Sequence, residues 1–329
     1  MMKIQGETFL VTGAAGFIGS HVTRALLQAG ASVVAVDDFN DFYDPAIKVA
    51  NVQPLLGDPR FVLYRADIRD PQALEPAFAN HAISGIVHLA ARAGVRPSLL
   101  EPQLYVETNV NGTVNLLTLA RQHGIERFVF ASSSSVYGDN PAAVPFQEDQ
   151  PINRPISPYA ATKAMGENIL YTYSHLYDMR VVCLRFFTVY GAGQRPDLAI
   201  HKFTRLLSEG RPIPVFGDGS TRRDYTYIDD IVQGVMAAIA YDKTPFEVFN
   251  LGESQTTALS ELIAHLARAL DVEPLIERHP LQPGDVPITY ASIDKACSLL
   301  GYNPSTQIAD GIPRFVAWYQ QMRTALTSV

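Results

Sequence analysis

The sequence predicts an α/β fold: a doubly wound parallel sheet of the Rossmann type, with a smaller mixed C-terminal lobe. Three observations carry that expectation. Apolar runs of strand length alternate with helical stretches through the first half of the chain, the pattern of a parallel sheet covered by helices on both faces. The first run breaks at Gly13, Gly16 and Gly19 and resumes as a helix. Beyond Gly191 the alternation weakens while prolines and glycines thicken, so the chain is expected to cross between lobes there. The expected division is 1–188 with 225–248 for the sheet lobe, and 189–224 with 249–329 for the second.

The opening strand, Phe9-Leu10-Val11-Thr12, runs into the glycine turn and then into a helix through Leu27. Without a Cβ, Gly13 takes the turn, Gly16 admits a pyrophosphate close to the backbone, and Gly19 lets the helix pack on the strand. The unpaired N–H groups and positive end of that helix face the phosphates, which adds Phe17 and Ile18 to the cofactor contacts. The spacing is GxxGxxG rather than the commoner GxGxxG, so context has to support it. It does: the second strand, Ala31 to Val36, stops at Asp37, about 20 residues on. A carboxylate there binds the adenosine ribose hydroxyls and repels a 2′-phosphate, which predicts NAD rather than NADP.

Asp38 opens a polar, aromatic loop through Pro45, expected to wall the adenosine. The third strand, Phe61 to Ile68, brings Asp67 and Ile68 to the adenine end, and the fourth, Gly85 to Ala91, ends in Leu89, Ala90 and Ala91, small enough to lie along a cofactor. His88 in that strand reads as a buried, satisfied histidine. A helix from Pro102 to His123 carries Thr108, Asn109 and Asn111, whose polar groups either bond a backbone carbonyl or reach the nicotinamide ribose. The fifth strand, Arg127 to Ala131, runs directly into Ser132-Ser133-Ser134-Ser135. Ligands of an open parallel sheet sit beyond the carboxyl ends of its strands, so these hydroxyls emerge at the reaction site. A proline-rich loop then leads to a helix beginning near Ser157, and Val181 to Gly191 forms the sixth strand and its exit. Tyr227 to Tyr241 reads as a helix returning to the first lobe, with Leu259 to Leu270 and Ile293 to Leu300 as helices of the second.

Tyr159 and Lys163 stand four apart on the helix after the proline loop and therefore on one face. An ammonium beside a phenol favours the phenolate, lowering a pKa of about 10 towards neutrality. Such a phenolate accepts a proton from an alcohol as hydride leaves the same carbon. A hydroxyl of the serine run shares the substrate's hydrogen bond and steadies its alkoxide-like transition state. YxxxK alone occurs by chance. Glycine turn, Asp37, serine run, Tyr159 and Lys163, in the order one mechanism requires, together predict a nicotinamide oxidoreductase site.

The composition narrows the partners. A formal charge of -7 with no cluster of basic and aromatic residues argues against nucleic acid. Cys183 and Cys297 offer neither a disulfide framework nor a metal-ligand pair, which fits a reducing cytoplasm and predicts no metal. The chain enters its first strand almost at once, with no leader expected, and no apolar run reaches the roughly 18 residues of a membrane span.

Four stretches, Thr12-Gly13-Ala14-Ala15-Gly16-Phe17-Ile18-Gly19, His88-Leu89-Ala90-Ala91, Ser132 through Gly138, and Tyr159-Ala160-Ala161-Thr162-Lys163, together resemble the extended short-chain dehydrogenase/reductases acting on nucleotide sugars. Within them, Arg185-Phe186-Phe187-Thr188-Val189-Tyr190-Gly191-Ala192-Gly193-Gln194-Arg195-Pro196-Asp197 and Gln282-Pro283-Gly284-Asp285-Val286 are most similar to the UDP-glucuronate 4-epimerases. The resemblance implies Tyr159 as base and acid, Lys163 as its electrostatic partner, and Ser133, with Ser134 beside it, orienting the sugar. It implies Phe187 meeting the nicotinamide amide through its backbone. Thr188 stands where galactose epimerases carry asparagine, which suits a sugar whose C6 is a carboxylate, and Arg195 is the candidate to bind that carboxylate. Val215 and Arg223 are expected to frame the uridine diphosphate, with Lys202 a second cation and Asp285 on ribose or capping a loop. Many relatives have arginine where Gln282 stands, which shifts more of the diphosphate onto Arg223. A homodimer through the helices around 102–123 and 158–177 is also implied. A UDP-glucuronate decarboxylase, a 4-epimerase of UDP-glucose or UDP-N-acetylglucosamine, and a non-catalytic NAD sensor remain as alternatives. A 4,6-dehydratase would need an acidic pair where Ser134 and Ser135 stand.

Overall fold

The computed structural model describes residues 4–140, 143–280 and 286–327. Its strands are β1 (Thr8–Thr12), β2 (Ser32–Asp37), β3 (Phe61–Arg65), β4 (Gly85–His88), β5 (Arg127–Ser133), β6 (Arg180–Phe186), β7 (Thr188–Tyr190), β8 (Ile213–Phe216), β9 (Arg222–Arg223), β10 (Tyr225–Tyr227), β11 (Phe246–Leu251), β12 (Thr257–Ala258) and β13 (Ile276–His279). The helices are α1 (Phe17–Gln28), α2 (Pro45–Val52), α3 (Pro71–Ala79), α4 (Val95–Leu100), α5 (Pro102–Val106), α6 (Gly112–Gln122), α7 (Pro158–Tyr177), α8 (Ala199–Ser208), α9 (Ile228–Ile239), α10 (Leu259–Leu270), α11 (Asp294–Leu300) and α12 (Ile308–Thr327). Seven strands form one parallel sheet in the order β11-β6-β5-β4-β1-β2-β3. The order reverses between β1 and β4, and that switch point opens the crevice for a ligand.

Alternation along β1 divides the interior. Phe9 and Val11 join one core with Val33, Leu26 of α1 and Val235 of α9. Leu10 faces the other, with Val34, Ile86, Leu116 of α6 and Leu170 of α7. Strands buried on both faces must be apolar at nearly every position, which is why they stand out in the sequence.

Three elements differ from expectation. The sixth strand does not continue to Gly191: Phe187 makes a last bond to Leu251 at 3.0 Å, and Thr188 then turns its N–H to Asp224 O at 3.0 Å. β7 thereby leaves the large sheet and pairs with β10, so the helix expected from Tyr227 begins at Ile228. The long helix from Pro102 is interrupted by a π-helical turn, Glu107–Asn111, an extra-residue insertion of the kind found at functional sites. The strand β11 was not anticipated, because Glu247 and Asn250 break its apolar run.

A buried ion pair locks α7 to the sheet. Arg185 on β6 donates to Glu167 on α7 through Nε at 3.0 Å and Nη2 at 2.7 Å. Ser132 at the end of β5 donates to the same carboxylate at 2.5 Å, while Arg185 Nη1 reaches the Tyr137 hydroxyl at 2.9 Å. Removing one partner strands the other's charge in the interior. Glu167→Ala is therefore expected to lower stability by about 3 to 5 kcal/mol, read as a fall in the urea unfolding midpoint; an unchanged midpoint would contradict the assignment.

Candidate active site

The glycine turn closes the switch point from below. Gly13 has φ +67° and lies so near β4 that a Cβ would meet Ala90 N at 2.8 Å. A Cβ on Gly19 would collide with Gly13 O. The glycines are there because α1 must start flush against the strand ends. Above them is a cavity lined by Gly13, Gly16, Phe17, Ile18, Gly19, Asp37, Asp38, Asp67, Ile68, Leu89, Ala90, Ala91, Thr108, Tyr159 and Lys163, every expected cofactor contact except Phe187. Phe186 lines it instead, and the Phe187 ring packs against Tyr137.

The residues fit a dinucleotide. At one end the Asp37 carboxylate accepts from Ala15 N at 3.1 Å and Phe39 N at 2.9 Å. Burial raises its pKa, opposed by Lys48, whose Nζ lies 3.7 Å away. Asp67 is clasped by Arg69 at 2.6 and 2.9 Å; burial pushes its pKa up, but these bonds outweigh it and hold the carboxyl below its ordinary range. Thr108 lines the cavity, and its Oγ1 is buried without a hydrogen-bond partner. Its neighbour Asn109 is instead structural, bonding Arg92 N and O and Thr162 Oγ1. His88 is structural too: it bridges Thr12 at 2.7 Å and Thr113 at 3.0 Å, and burial brings its pKa down to about 3.

At the far end stand Tyr159 and Lys163 on α7. Burial raises the pKa of the Tyr159 phenol, against the lowering effects of the Ser133 side chain and of the Arg195 charge. Lys163 does not hold the phenol here. Its Nζ donates to Ala131 O at 2.7 Å, and burial brings its pKa down to about 7, opposed by Glu167. The Arg195 charge also lowers the phenol pKa, though less than burial raises it. The serine run is divided: Ser132 donates to Glu167, Ser133 bonds Ser135 at 3.1 Å, and Ser134 begins a short 3₁₀ turn.

Of the sugar candidates, Arg195 lines the cavity beside Tyr159. Thr188 is half-buried at the start of β7, Val215 is buried in β8, Lys202 lies on α8, and Arg223 in β9 donates to Arg222 O at 2.8 Å. These lie off the cavity wall. Asp285 and Gln282 fall outside the described residues. Arg96 of α4 stands 5.0 Å from the Phe216 ring of β8.

Asn40, Phe42 and Tyr43 of the aromatic loop line the cavity, as do Lys48 and Arg92, which the sequence does not single out. The aromatic loop was expected at the adenosine only, yet Phe42 lies between Arg92 at 5.9 Å and Arg195 at 5.3 Å, reaching the catalytic end. Lys48 was detectable as a lone cation in the otherwise apolar α2. Among the described residues no cluster could hold a metal ion, and no helix is long and apolar enough to cross a membrane.

Comparison with known proteins matches this arrangement. The model of the NAD dependent epimerase/dehydratase family matches residues 9–252. A UDP-glucuronate 4-epimerase of Thermodesulfobacterium geofontis is 41% identical over 323 residues, covering 98% of each chain. The crystal structure of UDP-glucuronic acid 4-epimerase from Bacillus cereus, in complex with UDP-glucuronic acid and NAD, superposes with a TM-score of 0.89 at 36% identity, covering 96% of this chain and 99% of that one. UDP-glucose 4-epimerase from Thermus thermophilus in complex with NAD gives 0.87 at 31% identity, covering 95% and 99%. The glycine turn, the acid at the β2 tip and the Tyr159 helix thus have one explanation: this chain belongs to the NAD dependent epimerase/dehydratase family.

Proposed function

We propose that the chain epimerises C4 of a UDP-sugar, interconverting UDP-glucuronate and UDP-galacturonate. The observation that carries this reading is that Tyr159, Lys163 and Arg195 line the same cavity as the glycine turn and Asp37. NAD supplies the two-electron acceptor at that end and returns what it takes, so net redox is zero. Gly13, Gly16 and Gly19 bring backbone to its pyrophosphate, Asp37 holds its adenosine ribose, and Thr108 with Lys163 holds the ribose at the reacting end.

Tyr159 takes the proton from the sugar O4, and Ser133 shares the hydrogen bond as charge develops on that oxygen. The C4 hydride would be held by the cofactor while the flat 4-keto sugar turns over about its diphosphate tether; it would then return to the other face of C4 as Tyr159 gives the proton back to O4. Arg223, with Lys202 as a second cation, serves the diphosphate, and Val215 and Asp285 the nucleoside. The ketone makes the C6 carboxylate a β-keto acid prone to lose CO₂. Arg195 and Thr188 suppress this by holding the carboxylate so that its scissile bond stays out of line with the carbonyl π system.

Exposed Leu99, Leu100 and Val106 on α4 and α5, with Met165 and Tyr171 on α7, support a homodimer through these helices. Light scattering is expected to give twice the chain mass of 36.1 kDa; a monomer mass would reject it. The free thiols of Cys183 and Cys297 support a cytoplasmic location.

Incubating the purified protein with UDP-glucuronate is expected to yield UDP-galacturonate, and Tyr159→Phe to reduce kcat by about 10²–10⁴-fold. A UDP-pentose as sole product would identify a decarboxylase instead. Arg195→Met removes a positive charge that favours the phenolate, so the phenol pKa rises. Since the base form must be deprotonated, the acid limb of the pH–rate profile is expected to move to higher pH, with a UDP-pentose by-product appearing. An unmoved limb would show that Arg195 does not act on Tyr159.

A further inference from the structure

We propose that Asp197 is a positioning residue for substrate choice, tethering Arg195 by one edge so that its other edge selects a sugar carboxylate. The inference rests on the proposed epimerase reading. Arg195-Pro196-Asp197-Leu198 is a tight turn, closed by Leu198 N donating to Arg195 O at 3.2 Å, with Pro196 stiffening its second position. The turn brings the Asp197 carboxylate alongside the guanidinium. Arg195 Nε donates to Oδ1 at 2.9 Å and Nη2 to Oδ2 at 2.8 Å.

These bonds use only the side edge of the fork. A guanidinium carries five N–H donors in a fixed plane, so an end edge of Nη1 and Nη2 donors is left that matches a second carboxylate bidentately. The Phe42 ring, 5.3 Å from the guanidinium carbon, restrains the head from another side. Asp197 lies outward, with 38% of its side chain exposed against 17% for Arg195, and Arg195 lines the cavity with Tyr159. A long, rotatable side chain is thus held in one aim before substrate arrives. The tether also offsets the arginine's charge, so a neutral sugar at the same place meets a nearly neutral pair. A C6 carboxylate gains two charge-assisted hydrogen bonds that a C6 hydroxyl does not.

The test uses the NAD-loaded protein and two ligands, UDP-glucuronate and UDP-glucose, with dissociation constants from calorimetry. Asp197→Ala is expected to weaken UDP-glucuronate binding by about tenfold and to leave UDP-glucose binding within twofold. Asp197→Asn, which keeps one acceptor for the fork, is expected to fall between. Asp197 is largely at the surface, and an unchanged melting temperature confirms that each variant is folded. Equal loss for both ligands, or no loss for UDP-glucuronate, would overturn the role of Asp197 while leaving the epimerase reading intact. Failure of the wild-type protein to convert UDP-glucuronate would overturn that reading, and this inference with it.

Discussion

The Glu167 carboxylate is where the sheet and the catalytic helix become one object. Arg185 from β6 and Ser132 from β5 both donate to it, and it sits one turn beyond Lys163 and two beyond Tyr159. Two desolvated charges are costly unless each is fully hydrogen-bonded, and here both are. The network continues through Tyr137 to Asn250 on β11, at 2.7 Å, so the last strand to join the large sheet is tied to the same point. The aim of Tyr159 thus depends on groups buried behind the site as well as those lining it.

The site has two unequal parts. The cofactor side is built from strand ends and the turn after β1, all within one rigid sheet, and its residues meet in a single cavity. The expected sugar residues Thr188, Val215 and Arg223 stand on β7, β8 and β9, short strands that the main sheet does not carry. Arg195 lines the cavity from the turn that precedes α8. Its charge acts on Tyr159, and its tether to Asp197 decides which edge it shows. The Lys163 ammonium is held by the Ala131 carbonyl at the end of β5, and burial lowers its pKa.

Period and punctuation in the chain determined the parallel sheet, the glycine turn, the acid at Asp37 and the pairing of Tyr159 with the serine run. Each is local: strands buried on both faces must be apolar, and a backbone that close to another admits only glycine. The buried, satisfied role of His88 was legible for the same reason, a polar residue inside an otherwise apolar strand. Tertiary structure alone decided what depended on neighbours distant in sequence. The break at Phe187 follows from Asp224 offering a carbonyl, the reach of Phe42 from two arginines far along the chain, and β11 from an edge that tolerates Glu247 and Asn250. How the four serine hydroxyls are bonded was likewise decided in space: Glu167 takes Ser132, and Ser133 bonds Ser135, because hydrogen-bond partners are chosen by position and not by residue type.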